Sequence, residues 1–211
     1  MGRAALDGEV GAGSSARFTQ HGLTMLGYPE NGYRRMSNNR GPIRTPADMV
    51  GINMRTNNSR ALNDMFAALG ANPVQLPVAE LYTALETGVV DAQDHPVGVV
   101  LSFKFSEVQK YLTLTRHAYS ALALAMHSAS LERLSAENQT IVREVAAEAV
   151  AMQRKLAADG ETSMVNEQVA LGMELNTDVD TAAFQAVTSV RDAFIAANGD
   201  ADVKAIMAMQ Q

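Results

Sequence analysis

The sequence predicts an α/β fold, on three observations. Strand-length apolar runs alternate with amphipathic helix-length segments through the first 127 residues, the remainder carries helical periodicity, and Gly, Pro and Asn punctuate the joins. Residues 1–20 are rich in Gly and Ser with little apolar periodicity, which predicts a loose lead-in. "GLTMLGY" (22–28) reads as a buried strand. The stretch 29–51, dense in Asn, Gly, Pro and Arg, reads as irregular chain with turns at 31–32 and 41–42. "GINMRT" (51–56) is strand-like and leads to a helix capped by Ser59, with Leu62, Met65, Phe66 and Leu69 on one face and Gly70 ending it. An extended run, "PVQLP", follows, then a helix over 78–88 closed by Gly88 and a strand over 89–93. Residues 96–112 predict a helix and a connector, and 113–127 end in an apolar strand.

After Ser135 the pattern is helical, with Ile141, Val142, Val145, Met152 and Leu156 forming a stripe that predicts core packing. Gly160 either stops this helix or lies inside a longer one, and a last helix is expected over 181–199, capped by Asp180.

Composition narrows the function classes. At 211 residues and 47% hydrophobic, the chain can bury a substantial core as one large domain or two small ones. A net charge of −6 argues against nucleic acid or an anionic membrane as main partner. The absence of cysteine excludes disulfides and thiolate zinc sites. The N-terminal residues hold no apolar run of signal-peptide or membrane-spanning length.

Chemistry concentrates at strand ends, where open α/β sheets place their ligands. "GINMRTNN" delivers Arg55, then Asn57 and Asn58, just before a helix N-terminus; "VVDAQDHP" delivers Gln93, Asp94 and His95; and "NGYRR" supplies Arg34 and Arg35. A guanidinium matches a carboxylate with two parallel hydrogen bonds, so this set suits a small organic anion. Plainer readings stand beside it: a surface ion pair for each arginine, and a loop residue for His95. Asp91 and His95 straddle a strand-to-proline transition, so neither strand nor helical spacing assembles them with Asp94 into a metal site. No phosphate loop, dinucleotide fingerprint, nucleophile elbow or zinc-protease motif is present.

The ordered series "LGYPENGYRRMSNNRGPIRTPADMVGINMR", "ALGANPVQLPVAELYTALETGVVDAQDHP" and "KFSEVQKYLTLTRHAY" resembles the solute-binding proteins of TRAP (tripartite ATP-independent periplasmic) transporters. The resemblance is dense over 22–119 and looser to the C-terminus. It implies a periplasmic-binding-protein-like (type II) fold of two α/β lobes, closing over an organic acid that is handed to a membrane permease, with no catalysis and no cofactor. It implies a periplasmic location. In the family, the arginine on the strand before the "ALGA" helix pairs with the ligand carboxylate, which here is Arg55. The arginine of the "NG-x-R" loop assists, here Arg34, and an Asn before the proline of "D-G-Q-E-N-P" donates to the same carboxylate.

This chain has "DAQDHP" instead, which places His95 there and leads to the expectation that anion binding weakens as pH rises and the imidazole loses its proton. Val78 stands where the family often has an aromatic residue, and with Asn57, Asn58 and Gln93 it completes the expected pocket. The N-terminal part of a family member, with its signal peptide and most of the first lobe, has no counterpart in this sequence. On that reading 32–120 and 160–211 form the second lobe. Residues 1–31 are a remnant of the first, and 121–159 are a first-lobe and hinge segment that begins a long helix. Exposed first-lobe surface, notably "ALALAM" (121–126), would favour self-association. The alternatives are a non-binding or oligomerising remnant, and an enzyme using Asp94 and His95 as an acid–base pair.

Overall fold

The computed structural model describes residues 2–209. In chain order the elements are α1 (Gly2–Asp7), α2 (Glu9–Gln20), β1 (Leu23–Gly27), β2 (Glu30–Tyr33), β3 (Arg35–Asn38), β4 (Asn53–Thr56), α3 (Arg60–Ala68), β5 (Asn72–Gln75), α4 (Val78–Glu86) and β6 (Ala92–His95). They continue as α5 (Val97–Ser102), β7 (Tyr111–Thr113), β8 (Tyr119–Ala121), β9 (Leu124–His127), α6 (Ser128–Glu132), α7 (Ala136–Ala170), β10 (Glu174–Asn176), α8 (Thr181–Gln185), α9 (Ser189–Asn198) and α10 (Ala201–Ala208). The chain divides into two compact units. The first comprises residues up to Gly32, Tyr119–Gly160 and Asn198 onward; the second comprises Tyr33–Ala118 and Glu161–Ala197. The expected breaks lie at 31/32 and 120/121, with all of 160–211 expected in the second lobe. Here 198 onward joins the first unit, where α10 packs against α2 and Arg17 meets Asp202 at 3.5 Å.

The second unit is built on a six-stranded sheet of order β10-β7-β3-β6-β4-β5. β3 is antiparallel to both β6 and β7; β4 runs parallel to β5 and β6, and β10 parallel to β7. Side chains alternate between the two faces of a strand. One face carries Leu112 and packs on Leu81, Leu85, Val100, Phe105 and Val165; the other carries Met36, Met54 and Ala92 and packs on Ile43, Met49, Ile52 and Phe66. Ser59 caps α3 by accepting from Leu62 N, and Gly70 and Gly88 end their helices at φ of +86° and +74°, where a Cβ is strained.

In the first unit β1 pairs antiparallel with β9, and α7 is tied down by polar contacts. The Gln153 amide exchanges two bonds of 2.7 Å with the Glu30 backbone. Arg154 reaches Tyr28 O at 2.8 Å and Asp7 at 2.8 and 2.9 Å. α7 passes close to β1: a methyl at Gly27 would stand 2.9 Å from Val150 Cγ2.

Five expectations are corrected. Residues 2–20 are helical; a Cβ at Gly11 would stand 1.8 Å from Leu6 O, so a glycine that reads as a breaker serves a close backbone approach. The stretch 29–51 holds β3, a fully buried central strand whose polar sequence hid it. The strand expected at 89–93 is displaced to 92–95, leaving Val89 exposed ahead of it. The stripe on α7 is not core: Ile141, Val145, Met152 and Leu156 are 47–66% exposed, and the helix buries Ala146 and Val150 instead. Finally, 181–199 breaks into α8 and α9, where the Thr188 hydroxyl donates to Asp192 at 2.6 Å and starts a new helix; Asp180 caps α8 as expected, accepting from Ala183 N.

Candidate acid-binding site

β6 carries Ala92, Gln93, Asp94 and His95, all buried, and its alternation sorts them. Gln93 and His95 share a face with Arg55 of β4 and with Ser37 of β3, which stands opposite Gln93 in register. Phe105 packs beside the His95 ring at 5.8 Å between centroids, which places both with the Leu112 side of the sheet. Asp94 points to the other face.

Arg55 is 3% exposed. Its Nε and Nη2 donate to the Leu76 carbonyl at 3.0 and 2.7 Å, and Nη1 lies 3.1 Å from His95 Nε2. A guanidinium has five N–H donors; Leu76 takes two and His95 one, which leaves one on each terminal nitrogen. Among the described residues no carboxylate lies within ion-pair distance of it. Burial pushes the guanidinium below its ordinary pKa, Asp94 acting against that and Arg34 adding to it, and the group stays charged.

His95 Nδ1 lies 2.5 Å from Gln93 Oε1. Gln93 Nε2 donates to Ser37 Oγ at 2.6 Å, and Ser37 Oγ donates to Gln109 Oε1 at 2.9 Å. Burial, then the Arg34 and Arg55 charges, hold the His95 imidazole down to about 3 against the opposing pull of Asp94. The ring is therefore neutral at physiological pH. That shift runs against the expectation that it titrates and loosens an anion as pH rises.

Across the sheet, Arg34 is paired with Asp94. Its Nε donates to Asp94 Oδ2 at 2.5 Å and its Nη2 to Asp94 Oδ1 at 3.0 Å and to the Asp94 carbonyl. His117 adds Nε2 to the same Oδ2 at 3.2 Å while its Nδ1 meets the Thr115 hydroxyl at 2.6 Å. Burial raises the Asp94 carboxyl, but the hydrogen bonds from His117 and Arg34 and the Arg34 charge carry it below the ordinary carboxylate value. Arg35 turns to Glu161, so it too has a carboxylate.

The structure thus brings Arg55, His95 and Gln93 together and places Arg34 with Asp94 instead. Asn57 and Asn58 are exposed, Asn57 forming a turn by accepting from Ser59 N at 3.0 Å, and Val78 packs on the Leu81 cluster. The acid–base pairing of Asp94 with His95 does not form, because successive strand residues face opposite ways. Ser37, Gln109 and His117 escaped the sequence reading. Strand alternation applied to "QDH" separates Asp94 from its neighbours; His117 left no signal. Among the described residues no group of three His, Cys, Asp or Glu side chains could hold a metal ion, and no helix is long and apolar enough to cross a membrane.

Comparison with known proteins fits this arrangement. The family model for bacterial extracellular solute-binding proteins, family 7, matches residues 1–197. The 2,3-diketo-L-gulonate-binding periplasmic protein of Escherichia coli (strain K12) is 45% identical over 192 residues, which is 90% of this chain and 58% of that protein. The C4-dicarboxylate-binding periplasmic protein of Rhodobacter capsulatus is 30% identical over 182 residues, 86% of this chain and 52% of that one. The chain therefore spans little more than half the length of these relatives. A TRAP periplasmic solute-binding protein from Roseobacter denitrificans, solved with bound β-D-glucuronate, superposes with a TM-score of 0.91 at 33% identity, covering 96% of this chain and 68% of that one. One from Polaromonas, bound to D-erythronate, gives 0.90 at 32% identity and covers 99% and 68%. With its α/β fold shared with TRAP solute-binding proteins and its matched span, the chain belongs to the bacterial extracellular solute-binding proteins, family 7.

Proposed function

We propose that this chain carries the acid-recognising part of an extracytoplasmic TRAP solute-binding protein. It captures a small organic-acid anion through Arg55 and delivers it to a membrane permease in the periplasm, without catalysing a reaction. One observation carries the reading: Arg55 is a buried cation whose partners are a carbonyl and a neutral imidazole. A buried charge without an opposite charge costs several kcal/mol, so an incoming carboxylate gains what the fold withholds. The two spare N–H groups suit its two oxygens. The solved relatives with bound D-glucuronate and D-erythronate support a sugar acid as the ligand class. Val78, Asn57 and Asn58 belong to the outer pocket, His95 and Gln93 hold the arginine, and Arg34 acts at a remove by fixing Asp94. The second lobe of this reading corresponds to the sheet-bearing unit, the first-lobe pieces to the other.

Isothermal titration with D-glucuronate tests the reading. The wild-type chain gives a saturable heat, and Arg55→Ala loses it. Absence of wild-type binding to D-glucuronate, or an Arg55→Ala affinity within about twofold of wild type, overturns it. Self-association is a second reading, favoured by the exposed stripe of α7. Sedimentation of the wild-type chain against Met152→Lys tests it: a dimer that the substitution dissolves supports it, and a monomer throughout removes it.

A further inference from the structure

We propose that Gln93 is a positioning residue for the acid site: it locks His95 as the Nδ1–H tautomer, so that the imidazole offers its Nε2 lone pair to Arg55 and fixes the plane of the guanidinium. The inference rests on the reading of Arg55 as carboxylate anchor.

The proton order follows from the end of the chain that has no choice. A guanidinium donates and never accepts. At 3.1 Å from Arg55 Nη1, His95 Nε2 must therefore be the acceptor, which puts the single proton of the neutral ring on Nδ1. That proton faces Gln93 Oε1 at 2.5 Å, an oxygen that only accepts. The amide of Gln93 then turns its nitrogen to Ser37 Oγ, the Ser37 hydroxyl donates to Gln109 Oε1, and Gln109 Nε2 donates to the Asp91 and Val108 carbonyls at 3.3 Å each. Every link is compatible in one direction. Reversing any one leaves two donors or two acceptors facing each other in a buried place. Three side chains on two adjacent strands, with Gln109 from the connector before β7, thus set the orientation of one arginine, and the Leu76 carbonyl fixes its other edge.

The charged groups around the ring agree. Arg55 lies on one side and Arg34 and Asp94 on the neighbouring residue; Arg35, opposite His95 in register, is occupied by Glu161. The element after α5 presents the uncharged Phe105 ring. A second proton on His95 would set an N–H against the Arg55 N–H and add a cation beside two others.

The tautomer is read directly from a long-range proton–nitrogen correlation spectrum of the nitrogen-15-labelled chain, whose four histidines are assigned with a His95→Gln variant. The expected pattern for His95 is neutral and Nδ1–H, unchanged from about pH 8 to about pH 5. An Nε2–H pattern, or titration inside that range, overturns the inference without any ligand being present. Calorimetry with D-glucuronate then reads the consequence: Gln93→Leu, which removes the acceptor for Nδ1–H, weakens binding by about tenfold or more. If the wild type binds, Arg55→Ala does not, and Gln93→Leu binds within about twofold of wild type, this inference falls while the carboxylate anchor stands. If the wild type does not bind, the anchor reading falls and takes the positioning role with it. Should Gln93→Leu fail to fold, Ser37→Ala, which frees the Gln93 amide, replaces it in the same titration with the same opposing outcomes.

Discussion

Two arginines near one sheet edge, Arg34 and Arg55, are equally buried and oppositely treated. Arg34 meets the carboxylate of Asp94 in a two-pronged pair, with His117 on the same oxygen. Arg55 meets only a carbonyl and a neutral ring. Both lie within hydrogen-bonding reach of β6, on opposite faces, because consecutive residues Asp94 and His95 project in opposite directions. What the difference teaches is that burial alone does not mark a functional arginine. A buried cation with its own carboxylate has its electrostatics closed within the fold; one without lacks that closure, and this is the ground for proposing Arg55 as the anion's partner.

The largest expected effect breaks the closed side. Arg34→Ala strands the Asp94 charge in the interior and lowers the unfolding free energy by about 3–5 kcal/mol, measured by urea denaturation. Replacing both partners with apolar residues, Arg34→Met with Asp94→Leu, recovers much of that loss. If Arg34→Ala instead costs no more than a surface substitution, the pair is not the closed unit described here.

Acid separates the two faces by their windows. His95 is held down to about 3 from an ordinary 6.5, so between those values the unfolded chain binds the proton and the folded chain does not. Stability therefore falls as pH drops below 6.5, at a limiting slope of about 1.4 kcal/mol per unit from this group, and His95→Gln flattens that slope. Asp94 acts lower. Its folded value lies below the ordinary 3.8, so its contribution is full above that pH and is lost as pH falls through the folded value. A wild-type stability curve that is flat from pH 6.5 to 4 would contradict the buried neutral imidazole. The smallest effect is expected at the rim: Asn58→Ala, at an exposed position, changes stability by less than about 0.5 kcal/mol.

Much of the second unit was legible in the sequence because local chemistry and tertiary structure agree there. Ser59 caps the helix expected there, and Gly70 and Gly88 take the positive φ their positions require. The misses have physical causes. "RMSN" carries three polar side chains in four residues, yet it forms a central strand, since Arg35 and Ser37 find partners in Glu161, Gln93 and Gln109 that lie far away in sequence. The α7 stripe shows that helical periodicity reveals an apolar face without saying what covers it. The site was half legible: Arg55 and His95 do meet, whereas the Asp94 partner of Arg34 and the amide chain behind His95 depend on strand register, which no local pattern encodes.

Selective nitrogen-15 labelling of arginine gives the most direct test of the open and closed guanidiniums. As D-glucuronate is added, the side-chain N–H signals of Arg55 should shift progressively to saturation, while those of Arg34 stay in place with their carboxylate. Saturation marked by Arg34 moving and Arg55 standing still would contradict the account.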